Sequence, residues 1–137
     1  SNYIGFSIEK TVEHGFKNVI IIGHVGKLIK IAGGNFNTHS RVSDSRLEIL
    51  TALASLEGID KKILNEIYNS TTTDMAISII KKHIDINMFF NEISEIIKNK
   101  MIEYSYEKLN VAVYIFSNKH GFLGKTNNFN KLLKEIK

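Results

Sequence analysis

The run Val19-Ile20-Ile21-Ile22, closed by Gly23, constrains this chain more than any other segment. Consecutive β-branched residues favour extended backbone, and a run that is apolar at every position is the pattern of a strand covered on both faces. The reading is a central, parallel strand over residues 18–22. A parallel sheet needs long crossover connections, normally helical, so the rest of the chain should alternate towards helix.

The residues after this run give it chemical meaning. Gly23-His24-Val25-Gly26-Lys27 leads directly into the apolar, helix-compatible stretch Leu28 to Ala32. Strand, glycine loop and helix in that order form a general anion-binding arrangement: glycines permit close backbone approach, and the first N–H groups of the helix favour negative charge. Lys27 adds a point charge. A Walker A loop needs four residues between its first glycine and the Gly-Lys pair, then Ser or Thr; here there are two, then Leu28. Nucleotide triphosphates are therefore disfavoured. The competing reading is a tight turn whose glycines serve strand-to-helix packing, with Lys27 solvated.

Only one more segment has strand character, Val111 to Phe116, followed by a turn region at Gly121 and Gly124. Elsewhere the apolar spacing is helical. Ile4, Ile8 and Val12 mark a helix over 3–16 with Gly15 near its end. Ser43 or Asp44 can cap a helix bearing Leu47, Leu50 and Ala54, Ser45 with Glu48 fits a capping box, and Gly58 terminates it. Asp60 opens a short helix with Ile63, Leu64 and Ile67, and Thr71 to Thr73 opens another through Ile80. Asn87 opens the longest, and 128–136 forms a last amphipathic helix with Phe129, Leu132, Leu133 and Ile136 on one side. The expected fold class is α/β: a helix-rich, Rossmann-like fragment with a small parallel sheet, strands near 18–23 and 110–116. Two strands make a marginal sheet. Residues 1–137 are accordingly read as one domain or fragment of a longer protein, with missing strands upstream of Ser1; the alternative is a small helical protein with a two-stranded core.

Composition limits the function classes. The 137 residues are 43% apolar and can bury a core, and they contain no cysteine, which excludes disulfides and thiolate metal sites and suits a reducing cytosol. No apolar run reaches membrane-spanning length and the start shows no signal pattern, so a cytoplasmic protein without a membrane partner is expected. The net charge of +4 comes from dispersed lysines without basic-aromatic clusters, which favours an acidic small ligand over nucleic acid. Lys131 to Lys137 reads as a solvated helix face. The apolar residues from Met88 to Met101 read as core, interrupted at helical spacing by Asn91, Glu92, Glu95 and Lys98.

The polar stretch Asn35-Phe36-Asn37-Thr38-His39-Ser40-Arg41, followed by Asp44 and Arg46, reads as a recognition loop. Thr38, His39 and Ser40 are adjacent hydrogen-bonding side chains, and Arg41 and Arg46 offer forks for carboxylate or phosphate. Capping explains part of it. His39 is the candidate proton acceptor. A metal site from His24, His39 and Asp44 fits no ligand spacing, so no metal is assigned. His14, His83 and His120 receive no role.

GHVGKLIKIAGG, then NTHS, then a Ser-Asp-x-Arg-x-Glu helix start closely resembles the cobalt-precorrin-5B C1-methyltransferase family of anaerobic cobalamin biosynthesis, CbiD. The resemblance is to the C-terminal part of that family over essentially the whole chain, from Ser1-Asn2-Tyr3-Ile4-Gly5 to the Phe122-Leu123-Gly124 turn. The family's N-terminal part is absent. Ile31 and Gly33 stand where the family pattern more often has Leu and Ala, a difference expected to affect packing. The resemblance implies a complete enzyme that transfers a methyl group from S-adenosylmethionine to C1 of cobalt-precorrin-5B, giving cobalt-precorrin-6A, with cobalt entering only as part of the substrate. It further implies that Gly23, His24, Gly26, Lys27, Lys30, Asn37, Thr38, His39, Ser40, Arg41, Asp44 and Arg46 bind substrate or cofactor. The expected partners are the substrate, the missing N-terminal part and a possible second copy of the protein. The alternatives are an anion-binding or docking module without catalysis, and a phosphate-ligand enzyme using the glycine loop.

Overall fold

A computed structural model describes residues 17–36 and 45–136. The helix expected over 3–16 and the loop from Asn37 to Asp44 lie outside the described residues. The described chain runs β1 (Asn18–His24), α1 (Val25–Ala32), α2 (Arg46–Ser55), α3 (Lys61–Tyr68), α4 (Thr73–Ile80), α5 (Ile86–Tyr104), β2 (Asn110–Ser117), β3 (Gly121–Lys125) and α6 (Phe129–Ile136). It is an α/β fold, rich in helix.

β1 and β2 pair in parallel, Asn18 opposite Asn110 through His24 opposite Phe116, and five helices form the crossover between them. Alternation along β1 serves both faces of the sheet. Val19 and Ile21 pack on the main core, with Val25, Leu28, Ile93, Ile97 and Val113 among its buried members. Ile20 faces the other way, onto a smaller cluster of Ala112, Phe129 and Leu132 under α6. The result is helix, sheet and helix in layers.

Two expectations are corrected here. Among the described residues β1 stands at an edge and not at the centre, in the order β1-β2-β3, and Ile22 is 58% exposed. The apolar run encodes burial at Val19, Ile20 and Ile21 but not at its last member. The sheet is also not purely parallel, because the expected turn region at Gly121 and Gly124 is a third strand, antiparallel to β2, with a register shift at Leu123, between the Ile115–Gly124 and Phe116–Phe122 pairs.

Strand β3 is held on its far side by α5. Asn87 Nδ2 donates to the Leu123 carbonyl (2.7 Å), Asn91 Oδ1 accepts from Lys125 N (2.9 Å), and Glu95 Oε2 accepts from Asn127 N (2.7 Å). These three side chains recur every fourth residue and so form one stripe of the helix. They satisfy strand groups that would otherwise be left as an open edge. Thr126 closes the inner side, where its N–H donates to the Val113 carbonyl (2.9 Å) and its Oγ1 accepts from Val113 N (3.1 Å).

Helix starts follow the capping rules. Asp60 accepts from Ile63 N, Thr72 from Met75 N, and Asp85 from both Asn87 N and Met88 N. α5 thus begins one residue before Asn87. Ser45 stands at the start of α2 without a side-chain capping bond, so the expected capping box does not form. Gly58, with φ of 81°, lies just beyond α2 as expected. Met88, read as core, is 61% exposed, whereas Phe89, Phe90, Ile93, Ile97 and Met101 are buried. Asp85→Ala removes two capping bonds and is expected to lower stability by about 1 kcal/mol, measured by urea unfolding; Asp85→Asn should recover most of that loss.

Candidate functional site

The carboxyl ends of β1 and β2 lie side by side, which is where open α/β sheets bind ligands. Here His24 ends β1 and caps α1. Its Nδ1 accepts from Gly26 N at 3.0 Å, so the neutral ring carries its proton on Nε2. The ring also meets Phe116, its register partner on β2, edge-on at 5.9 Å between centroids. Histidine is an unusual cap, and nothing in the sequence spacing reveals this role.

His24, Gly26, Lys27, Lys30 and Arg46 line one cavity of about 290 Å³. The described members of the predicted site therefore converge, apart from Gly23, whose place is against Leu28: a Cβ there would sit 3.1 Å from that side chain. Gly26 is buried at the first turn of α1, where a Cβ would lie 3.3 Å from His24 Nδ1 and 3.7 Å from Arg46 Nη1. Its missing side chain leaves room between the cap and the guanidinium. Lys27 is exposed at the mouth, Arg46 is half-buried at the start of α2, and Lys30 is 1% exposed. Burial screens Lys30 less from anything that enters the cavity. Asn37, Thr38, His39, Ser40, Arg41 and Asp44 lie outside the described residues.

Chemically, the cavity combines a helix start, where N–H groups lack intrahelical partners, with three cationic side chains. No acidic residue occupies the first turn of α1. Such a site selects anions and can hold more than one carboxylate. A larger cavity of about 400 Å³ lies at the opposite end of the sheet, lined by residues that include Lys98, Asn110, Asn128, Lys131 and Glu135. It mixes charges of both signs, Lys98 already pairs with Glu95 at 2.8 Å, and it sits at the amino end of β2. Size favours that cavity, while position and charge favour the one at His24; the chemistry is the stronger argument.

His120, given no role in the sequence, lies at the same end of the sheet, just beyond β2. Its Nε2 is 3.3 Å from Ser78 Oγ and 3.2 Å from the Asp74 carbonyl, which fixes the β2–β3 turn on α4. Elsewhere, desolvation together with the neighbouring Glu92 carboxylate raises the Glu57 pKa. Among the described residues no group of three or more His, Cys, Asp or Glu side chains could hold a metal ion, and no helix is long and apolar enough to cross a membrane.

Comparison with known proteins identifies the family. Residues 37–127 match the family described as CbiD, C-terminal domain. A protein of Thermoanaerobacter sp. named cobalt-precorrin-5B C(1)-methyltransferase is 43% identical over 125 residues, covering 90% of this chain and 34% of the relative. Relatives of the same name from Fusobacterium nucleatum and Alkaliphilus metalliredigens are 38% and 33% identical, over 98% and 100% of this chain and 35% and 36% of their own lengths. The chain thus spans about a third of the length of these relatives. No solved structure matches it significantly. The family match extends over more than half of the chain, and the chain belongs to the CbiD family as its C-terminal domain.

Proposed function

We propose that this chain is the C-terminal domain of a cytoplasmic methyltransferase that uses S-adenosylmethionine to methylate C1 of cobalt-precorrin-5B in anaerobic cobalamin biosynthesis. The observation that carries the reading is the convergence of Lys27, Lys30 and Arg46 on the start of α1 at the carboxyl ends of the parallel strands. The substrate named in the relatives is a cobalt-containing tetrapyrrole precursor whose periphery carries acetate and propionate carboxylates, and the cavity suits such groups. The carboxylate of the methionine end of the cofactor has the same chemistry, so the residues present also fit that group.

S-adenosylmethionine, when bound, supplies an electrophilic methyl carbon on a sulfonium centre. No protein nucleophile is required. The protein's part is to hold the substrate in line and to compensate its charge. Lys27 and Arg46 bind peripheral carboxylates, Lys30 strengthens the positive field from within, and His24 keeps the first turn of α1 in place. Thr38, His39 and Ser40 would orient the macrocycle and Arg41 would bind a carboxylate, with His39 the candidate proton acceptor.

The reading is tested in a protein of the relatives' full length with this chain as its C-terminal domain. Methyl from labelled S-adenosylmethionine is expected in the tetrapyrrole product, and none with residues 1–137 alone. Saturable ATP binding with no response to S-adenosylmethionine, S-adenosylhomocysteine or a corrinoid precursor would sink the reading, and would favour a phosphate-ligand enzyme.

A further inference from the structure

On the α6 side of the sheet, coverage by the described residues ends abruptly. Phe129, Leu132 and Leu133 of α6 pack over Ile20, Ala112 and Tyr114. Two residues further along each parallel strand, on the same face, stand Ile22 and Phe116, and Phe116 pairs in register with Phe122 of β3. Ile22 is 58% exposed, Phe122 is 41% exposed and Phe116 is half-buried. Phe116 and Phe122 lie abreast, while Ile22, opposite Tyr114, stands one same-face step before them, so the apolar strip runs diagonally and spans about 10 Å across the strands at ~4.8 Å per strand.

Polar groups stand at two opposite corners of this strip, since His24 is the register partner of Phe116 and Lys125 that of Tyr114. At the β1 end, His24 touches Phe116 with its ring and lines the basic cavity with its other edge. At the β3 end, Lys125 Nζ lies 5.9 Å from the centroid of the Phe122 ring, and Tyr114 braces that ring from below at 4.9 Å. An apolar floor with positive charge at its corners is complementary to a flat apolar ring with acidic groups on its rim. A helix from another protein would need an apolar groove, whereas this surface is a short, rigid sheet with aromatic side chains upright on it.

We propose that Ile22, Phe116 and Phe122 form the floor on which the face of a planar polycarboxylate macrocycle rests, its rim carboxylates reaching the Lys27–Arg46 cavity on one side and Lys125 on the other. This deepens the proposed function and rests on the anion-binding reading of that cavity. It makes ring contact and charge contact separable, because Ile22 and Phe122 do not line the cavity.

The experiment compares two probes by fluorescence and calorimetry: uroporphyrin, a planar ring with carboxylates on its rim, and citrate, a small polycarboxylate without a ring. The wild-type chain is expected to bind uroporphyrin at least tenfold more tightly than citrate. Ile22→Ser with Phe122→Ser should lower uroporphyrin affinity at least tenfold and leave citrate affinity unchanged. Ile22→Ser alone should lower it about threefold, and this variant decides the matter if the Phe122 change disturbs folding, checked by thermal unfolding. Equal uroporphyrin binding by the wild type and the variants, with citrate still bound, would overturn the floor while leaving the cavity standing. Binding of neither probe by the wild type would overturn the cavity reading and the floor together. A wild-type dimer that the Ile22 change dissociates in sedimentation would give this face to a second copy instead.

Discussion

Gly124→Ala is expected to destabilise the protein by about 3 kcal/mol, at the upper end of overpacking costs in a core. For a domain of this size that lowers the unfolding midpoint by on the order of 10 °C. The cause is a backbone contact. A Cβ at this position would fall 2.5 Å from Asn91 N and still closer to the Phe90 carbonyl carbon. Backbone atoms of a helix interior cannot yield as a side-chain tip can, so α5 must move away from β3. Moving it also lengthens the Asn87, Asn91 and Glu95 bonds to the strand, which depend on short side chains reaching across a close approach. Gly33 provides the control. A Cβ there would meet Ile49 Cδ1 at 2.6 Å, but that atom is the far end of a flexible side chain, and φ of −84° suits alanine. Gly33→Ala should cost much less in the same thermal melt. Equal losses for the two variants would refute the close-approach argument.

Lys27→Ala combined with Arg46→Ala should weaken binding of a tetrapyrrole polycarboxylate about 100-fold, measured by calorimetry at low salt. A hydrogen bond to a charged group contributes about 1.5–3 kcal/mol, exposed Lys27 stands at or below the low end, and a total near 3 kcal/mol corresponds to that factor. Wild-type affinity should fall with added salt and the variant's should respond less, because fewer charges remain to be screened. Lys61→Ala, at an exposed position on α3, is the matched control and should leave affinity unchanged. Unchanged binding by the double variant would remove the cavity from the substrate site. Stability is a poor reporter for Lys27, since exposed substitutions of this kind move it by about 0.5 kcal/mol or less.

The parts of the fold written in local patterns were legible in the sequence. Asp60 and Thr72 cap the helices they were expected to open, the Val19–Ile22 run is a strand, and Val111–Phe116 is its parallel partner. What could not be read was decided by contacts distant in sequence. β3 spans five residues, two of them glycine, too short and too punctuated to show alternation. Its Gly124 answers to the backbone of α5, more than 30 positions earlier. The edge position of β1 was hidden for the opposite reason: β-branched residues announce extended backbone without saying how many neighbours the strand has. In the site, residue type alone marked Lys27, Lys30 and Arg46 as candidate anion ligands, and they meet around one cavity. The role of His24 as cap and ring contact came only from the geometry.

The crossover from β1 to β2 also sets an order of events during synthesis. Asn18 and Asn110, hydrogen-bonded across the start of the parallel pair, are 92 positions apart. At roughly 5–20 residues per second, the first strand waits on the order of 5–20 s for its partner to leave the ribosome. The helices between them can form meanwhile, but the Val19–Ile22 run cannot pair with β2. It spends that interval as an apolar segment without its partner strand, the period of greatest risk for association with another nascent chain. Slowed translation between residues 25 and 110 should therefore lower soluble yield, while the stability of the finished protein stays the same.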